Sequence, residues 1–371
     1  MRFFHNAPII IVTVAFLVIA AITGVGQLLT SRLVHSAHEG DYELMRDAFV
    51  SQLKSFEDEA ASDAELVANV ASVRKAFAAR DRAALQAETI PMFKVIEAKY
   101  AMDQAAFHTP PGVTFLRLHA PDKFGDDQTP YRPMLSEAQH EKALRKGTAI
   151  TKNGPAIFAI VPVLDDKGQF VGTFEMGLEF GPVLKDLKTA YGIEGAVYFE
   201  EKTLREIATD IEPEVMIPKN RFGKYMRYYA THPELMSTLV GDKDVDITEG
   251  RRYERMASRA PWGVHVLPVY NYANKQIGVV ALATSFAADK SAAGRALVWQ
   301  MLAGLVGIVI VGGAVIISIR GLLLAPLSSL TERMKELASG AEARPADPAE
   351  DYCDELRVLA DCYEKLRGKR S

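Results

Sequence analysis

The chain has 371 residues, 49% of them apolar, and its 43 Lys and Arg against 47 Asp and Glu leave a formal net charge of −4. That length holds two or three compact units, and near-balanced charge without a basic tract excludes a nucleic-acid partner.

No residue from Ala7 to Leu29 is charged, and none from Ala296 to Ile319. At about 1.5 Å per residue each run spans a hydrocarbon layer of roughly 30 Å, so residues 7–29 and 296–319 are assigned as transmembrane helices behind a cytoplasmic N-terminus, 1–6. A cleavable signal peptide is the alternative for the first, given Arg2 and the small residues from Ala20 to Gly24. The run exceeds the roughly 7 to 15 residues of a signal core, which favours an uncleaved anchor. Arg2 balances Arg32 and Arg295 balances Arg320, so charge does not set orientation. A large central loop behind a short N-terminus favours export of the loop, with both termini cytoplasmic. Both cysteines, Cys353 and Cys362, lie beyond the second run. On a helix they face opposite ways, and they lack zinc-ligand spacing, so they read as ordinary reduced thiols.

Residues 30–105 read as a helical stalk. Ser62 and Glu65 have the form of a capping box that starts a new helix, Asp81 is a candidate cap for another, and Pro91 is expected to bend or interrupt that one. Strand-like residues take over after His108. In Thr114–His119 a period of two puts Phe115, Arg117 and His119 on one face and Thr114, Leu116 and Leu118 on the other. Charge concentrates from there to Arg132, around the turn Phe124-Gly125-Asp126-Asp127. Arg117 and Arg132 can clamp a solute carboxylate, or they can pair with Asp126 and Asp127. His119 has no second His or Cys at ligand spacing and is no metal site. A helix is predicted over about 136–145, stopped by Lys146-Gly147.

Residues 156–179 read as two strands joined by Asp165 to Gly168. The unit recurs: Pro162-Val163 with Gly172 is matched by Pro268-Val269 with Gly278, 106 residues on, around the loop Asn271–Lys275. Two modules of one plan are implied, distal (106–192) and proximal (193–295). Residues 196–204 are the predicted first strand of the second, and Arg251 to Arg255 a solvated strand face or an inter-module contact. A helix from Ala287 to Arg295 leads into the second span, where Gln300 can bond a partner helix and small Ala303 and Gly307 allow two copies to pack closely as a homodimer. Beyond it Leu327, Leu330, Met334 and Leu337, then Leu356, Leu359, Tyr363 and Leu366, repeat at three, four and three residues. That is the seam of two coiled-coil helices.

Residues 320–371 resemble a HAMP domain, the parallel four-helix relay after the last span of bacterial receptors, with Pro326 and Asp354-Glu355 where that family has its proline and acidic pair. Residues 35 to 290 resemble the double Cache sensor domains. Some members carry the segments that stand here as Phe115-Leu-Arg117, Pro121-Asp-Lys123-Phe-Gly-Asp-Asp127 and Arg132. The resemblance implies an α+β fold, two PAS-like modules on a long N-terminal helix. It implies a two-pass sensor in a bacterial inner membrane with its central domain outside. Candidate ligand-binding residues are Phe115, Arg117, His119, Lys123, Asp126 and Arg132, with Phe158 and Glu175 on the strands that flank the pocket of such a module. Pro326, Asp354 and Glu355 are the candidate signalling residues.

No Gly-x-Ser-x-Gly, His-Glu-x-x-His or phosphate loop occurs, so neither an enzyme nor a cofactor is expected. The expectation is a sensor of a small solute, an anion if the arginines are free to meet it. No output domain follows the HAMP-like segment, so a separate chemoreceptor or histidine kinase is the expected partner, or the chain is the front of a longer receptor. The alternative is an accessory membrane protein whose exported domain binds a protein.

Overall fold

The computed structural model describes residues 2–100, 102–339, 344–348 and 354–369. The chain divides into two units, residues 36–288 and residues 1–35 with 289–371.

Three helices open the chain, α1 (Arg2–Ala68), α2 (Ala71–Ala78) and α3 (Arg82–Tyr100). In α1 the residues Met45, Phe49, Phe56, Ala60, Ala64 and Val67 are buried. Their spacing makes one stripe of a single helix. Ser62 therefore lies inside α1 and starts nothing, contrary to the capping-box reading. A break there would remove Ala60 and Ala64 from the packed stripe and exchange several backbone bonds for one cap. The break comes at Asn69, whose amide N–H and side-chain Nδ2 both donate to the Glu65 carbonyl, at 3.0 and 2.8 Å. Asp81 does cap α3, accepting from the Ala84 N–H at 3.0 Å. That helix runs on through Pro91 without interruption.

The distal sheet follows: β1 (Met102–Thr109), β2 (Val113–Arg117), α4 (Pro133–Glu141), β3 (Arg145–Thr151), β4 (Gly154–Leu164) and β5 (Phe170–Leu178), antiparallel in the order β2-β1-β5-β4-β3. The helical stalk thus ends at Tyr100, and residues expected in it up to 105 already belong to β1. The helix expected over 136–145 is also displaced. Pro133 occupies its first turn, where a fixed φ and a missing N–H suit a helix start, and Lys142 closes it in the left-handed conformation. Lys146-Gly147 lies within β3 and stops no helix.

After α5 (Phe180–Tyr191) comes the second sheet, from β6 (Glu194–Glu200), α6 (Glu201–Ile207), β7 (Arg221–Phe222), β8 (Tyr225–Ala230), α7 (Pro233–Leu239), α8 (Asp242–Val245), β9 (Arg251–Ala257), β10 (Ala260–Tyr270) and β11 (Gln276–Ser285). Its order is β7-β8-β6-β11-β10-β9, the first sheet's plan with one short strand added at the edge. Residues 201–204, expected in its first strand, open α6 instead. Arg252 in β9 is ion-paired to Glu39 at 2.6 Å and Arg255 to Asp244 at 2.8 Å.

The duplicated hairpins match bond for bond. The Asp165 N–H donates to the Gln169 carbonyl at 2.9 Å, and the Asn271 N–H to the Lys275 carbonyl at 2.8 Å. The Asp165 carboxylate accepts from the Lys167 and Gln169 N–H groups, and the Asn271 side-chain oxygen from those of Ala273 and Lys275. Both ladders shift register at the same place, after Val163 and after Val269. A methyl on Gly172 would overlap the His108 carbonyl, and one on Gly278 the Tyr198 carbonyl. Gly172→Ala and Gly278→Ala are each expected to destabilise the unit by about 1–3 kcal/mol, measured as a lower urea midpoint at unchanged slope. Lys167→Ala, on the turn beside them, should stay within about 0.5 kcal/mol of the parent.

The other unit contains the first part of α1, then α9 (Ala287–Ile319), α10 (Ala325–Ser339) and α11 (Asp354–Gly368). Both α1 and α9 contain stretches long and apolar enough to cross a membrane. Gln300 lies against Gly26 of the same chain, its Nε2 3.0 Å from where a Cβ there would stand. Gly304 and Gly307 face Ile19 of α1 in the same chain. Between α9 and α10, residues 320–324 form a π-helical turn in which Ala325 N–H donates to the Arg320 carbonyl. The wide turn precedes Pro326, which has no N–H to continue a regular ladder. Helices α10 and α11 pack through Leu330, Leu356, Ala360 and Tyr363, while Leu327, Met334, Leu359 and Leu366 of the expected seam are exposed. Cys353 and the side chains of Asp354 and Glu355 lie outside the described residues, and Cys362 is exposed.

Candidate functional site

The distal sheet buries both faces. Phe107, Ile157, Val161, Phe174 and Met176 join the core shared with α1, and Phe158 and Ile160 pack under α4. Beside that second apolar cluster lies a polar layer: Gln104, His108, Thr114, Gln128, Arg132, Thr151, Thr173 and Glu175 are all buried.

A bulge builds this layer. Phe107 pairs with Leu116 and His108 with Thr114, leaving Phe115 as the extra residue. One inserted residue reverses the alternation, so Thr114 turns to the side of Arg117 and Phe115 leaves it. Phe115 packs instead on Phe77 of α2, with ring centroids 5.5 Å apart. Contrary to the strict period of two, Phe115 is a core residue outside the cleft.

The loop after β2 folds back on the strand. Thr114 N–H donates to the Asp126 carbonyl at 2.9 Å and Gly125 N–H to that of Thr114 at 2.8 Å, with Gly125 at φ 87°. Arg117 grips the loop through both carboxylate oxygens of Asp126, each at 2.8 Å, and through the Lys123 carbonyl at 2.7 Å. That contact holds the Asp126 carboxyl well below the usual carboxylate range. Asp127 meets neither arginine, its carboxylate accepting from the N–H and hydroxyl of Thr129.

Arg132, at the start of α4, finds its partner across the sheet. Nη2 donates to one oxygen of Glu175 at 2.7 Å, and Nη1 reaches the other and Gln128 Oε1 at 3.3 Å. Its guanidinium lies 4.9 Å above the Phe158 ring, so Phe158 is the floor under Arg132 and does not line the cleft. Burial pushes Glu175 up, but the charge and hydrogen bonds of Arg132 together with the neighbouring His108 and His119 outweigh it, and the net shift is downward. His108, 3.7 Å from Glu175, is fully buried, and burial pulls its pKa down to about 4.

Above this layer opens a cleft of about 290 Å³, lined by Arg117, His119, Lys123, Asp126, Arg132 and Glu175, and also by Gln104, Gln128, Thr151, Lys152, Asn153 and Asp210. His119 Nδ1 accepts from the Ala105 N–H at 3.3 Å, and its Nε2 lies 3.1 Å from the Asn153 side-chain amide. Burial lowers the pKa of His119 as well. Lys123 pairs with Asp210 at 3.3 Å, and Lys152 lies 3.5 Å from Asp126 and 4.8 Å from the Tyr131 ring. The Nη groups of Arg132 and the guanidinium of Arg117 are taken internally, and the Thr151 hydroxyl donates to Gln104 Oε1 at 2.9 Å, so the groups left to meet a solute are the two lysines, His119 and Asn153.

The sequence reading missed His108, Gln104, Gln128, Lys152, Asn153 and Asp210. Gln104, Ala106 and His108 alternate along β1, a signal that could have found two of them; Asp210 comes from the proximal module and left none. That module has no equivalent layer. Matched through Gly172 and Gly278, Glu175 corresponds to Ala281 and His108 to Tyr198, and both replacements are buried in an apolar cluster.

Residues 39–289 match a family described as the double sensory domain of two-component sensor kinases. No curated relative matches the chain. Among solved structures, the ligand-binding domain of the Campylobacter jejuni chemoreceptor Tlp3 in complex with L-valine is 11% identical, covers 69% of this chain and 95% of its own, and has a TM-score of 0.41. The periplasmic domain of Vibrio cholerae LuxQ is 12% identical over 66% of this chain and 97% of its own, with a TM-score of 0.37.

Proposed function

This chain belongs to the double Cache family of sensory domains, and from that premise we propose that it is a two-pass membrane sensor that binds a small anionic solute in the distal cleft. Residues 7–29 and 296–319 cross a bacterial inner membrane, residues 106–295 lie outside as the distal and proximal modules, and residues 320–371 relay the signal on the cytoplasmic side as a HAMP-like pair. The observation that carries this reading is the polar cleft itself. It is present in one module and replaced by an apolar core in its duplicate. Arg117, Lys123, Arg132 and Lys152 line it against Asp126, Glu175 and Asp210, a surplus of positive charge. The solute's anionic end meets Lys123 and Lys152, and its polar groups meet His119 and Asn153. Arg117 and Arg132 shape the site through Asp126 and Glu175.

Exposed Leu327, Met334, Leu359 and Leu366 support a homodimer in which two α10–α11 pairs complete a four-helix bundle. Output then passes to a separate chemoreceptor or histidine kinase.

The test is a thermal-shift screen of the full chain in lipid nanodiscs against amino acids, mono- and dicarboxylates and neutral analogues. An anionic hit is expected, and Lys152→Gln should weaken it about tenfold, the worth of one charge-assisted hydrogen bond. Hits indifferent to both Lys152→Gln and Lys123→Gln would refute the assignment. A protein partner captured without any small-molecule hit would favour the accessory-protein alternative.

A further inference from the structure

A second cleft, of about 380 Å³, shares Arg132 with the first but is built differently. It opens between the modules, where α4 and β3 of the distal module face α6 and the β10–β11 hairpin of the proximal one. Met134, Ile150 and Ile277 are its buried apolar walls, and Tyr272 closes one side. Tyr272 is held firmly, its N–H donating to the Thr148 carbonyl and its hydroxyl to Glu137, both at 3.1 Å. The size falls within the range of about 300–1,000 Å³ typical of small-molecule sites.

Two cations, Arg132 and Lys275, line this cleft, and no carboxylate does. Arg132 is 4% exposed, and its Nη atoms are taken by Glu175 and Gln128. Its Nε is buried and has no hydrogen-bond partner. A buried donor left unmet is expensive, and an acceptor placed beside it recovers that loss. Glu175 already compensates the Arg132 charge, and Lys275 has no ion-pair partner among the described residues. The uncompensated charge is therefore a single positive one at the rim of an apolar hollow.

We propose that this inter-module cleft is a second ligand site, for a small organic monocarboxylate with an aliphatic or aromatic body. The carboxylate accepts from Arg132 Nε and faces Lys275, and the body packs on Met134, Ile150, Ile277 and Tyr272. A dianion brings one charge more than the site can match and sets it against apolar walls. The site does not depend on the reading of the distal cleft, from which it differs in walls and charge.

The test uses the full chain in lipid nanodiscs with benzoate, hexanoate and neutral benzamide as probes, titrated calorimetrically against empty nanodiscs. Benzoate is expected to bind with a Kd of about 1 mM or tighter, as befits a ligand of its size, and benzamide at least about fivefold more weakly. Lys275→Gln, an exposed change, should weaken benzoate about fivefold. Thr203→Trp, which fills the mouth, should abolish binding without lowering the melting temperature. No benzoate binding at about ten times that Kd, equal affinity for benzamide, or binding undiminished in Thr203→Trp would each overturn the proposal. If Thr203→Trp fails to fold, Lys275→Gln and the benzamide comparison decide it.

Discussion

Arg132→Ala is expected to destabilise the sensor unit by about 3–5 kcal/mol, because it strands a carboxylate that has no other full charge to lean on. Glu175 is 6% exposed at its side chain, and Arg132 supplies both of its short contacts. His108 stands close to it but is neutral at physiological pH. Glu175→Ala should cost about as much by leaving the guanidinium unpaired. The double substitution Arg132→Met with Glu175→Leu should recover most of the loss, since two apolar side chains of similar volume leave no buried charge behind. Urea unfolding of all three variants, followed by circular dichroism, measures this. Single-variant losses near the 0–1 kcal/mol of an exposed pair would mean that water reaches Glu175 and that the layer is not closed. The prediction also separates structure from sensing, because the double variant should fold while its cleft loses the two groups that set its shape.

Local periodicity and turn chemistry were enough to read the modules. Asp165 and Asn271 stand at the same point of two hairpins because each side-chain oxygen closes the same loop, and Gly172 and Gly278 recur because a neighbouring carbonyl leaves no room for a methyl. These constraints are local in sequence, so the repeat was legible. The bulge at Phe115 was not, since it depends on how β1 pairs with β2, and its effect was to move Phe115 to the core and Thr114 to the cleft. Ser62 misled for a related reason. A cap signal is worth about 1 kcal/mol, and a helix stripe buried along its whole length outweighs it. In the cleft, Arg117, Lys123 and Asp126 could be found because one short loop carries them. The partner of Arg132 lay 43 residues away, and the choice between ligand contact and internal pair could not be made without that distance. Asp210 was hidden for the same reason, reaching the distal cleft from another module.

The polar layer and its edge hold two groups whose protonation opposes each other, and this gives an expected pH dependence with opposite signs. His108 is pulled down to about 4 from 6.5 by burial. Between those values the unfolded chain takes up a proton that the folded chain refuses, so the group removes stability as pH falls through the window, on the order of 3 kcal/mol in all. Asp103, next to Gln104 in β1, is pushed up to about 7 from 3.8, first by burial and then by Glu179 and Glu97, despite a hydrogen bond from Gln104. The folded chain keeps a proton there that the unfolded chain has lost. Its stabilising contribution is therefore full below about pH 4 and disappears as pH rises through 7. Relative to the unmodified chain, Asp103→Asn should gain stability as pH is raised from 5 to 7, and His108→Gln should gain as pH is lowered from 6.5 toward 4.5. Urea midpoints taken across that range test both. An Asp103→Asn curve parallel to that of the parent would show that Asp103 is already ionised in the folded chain, and the side chain would then have to be reached by water.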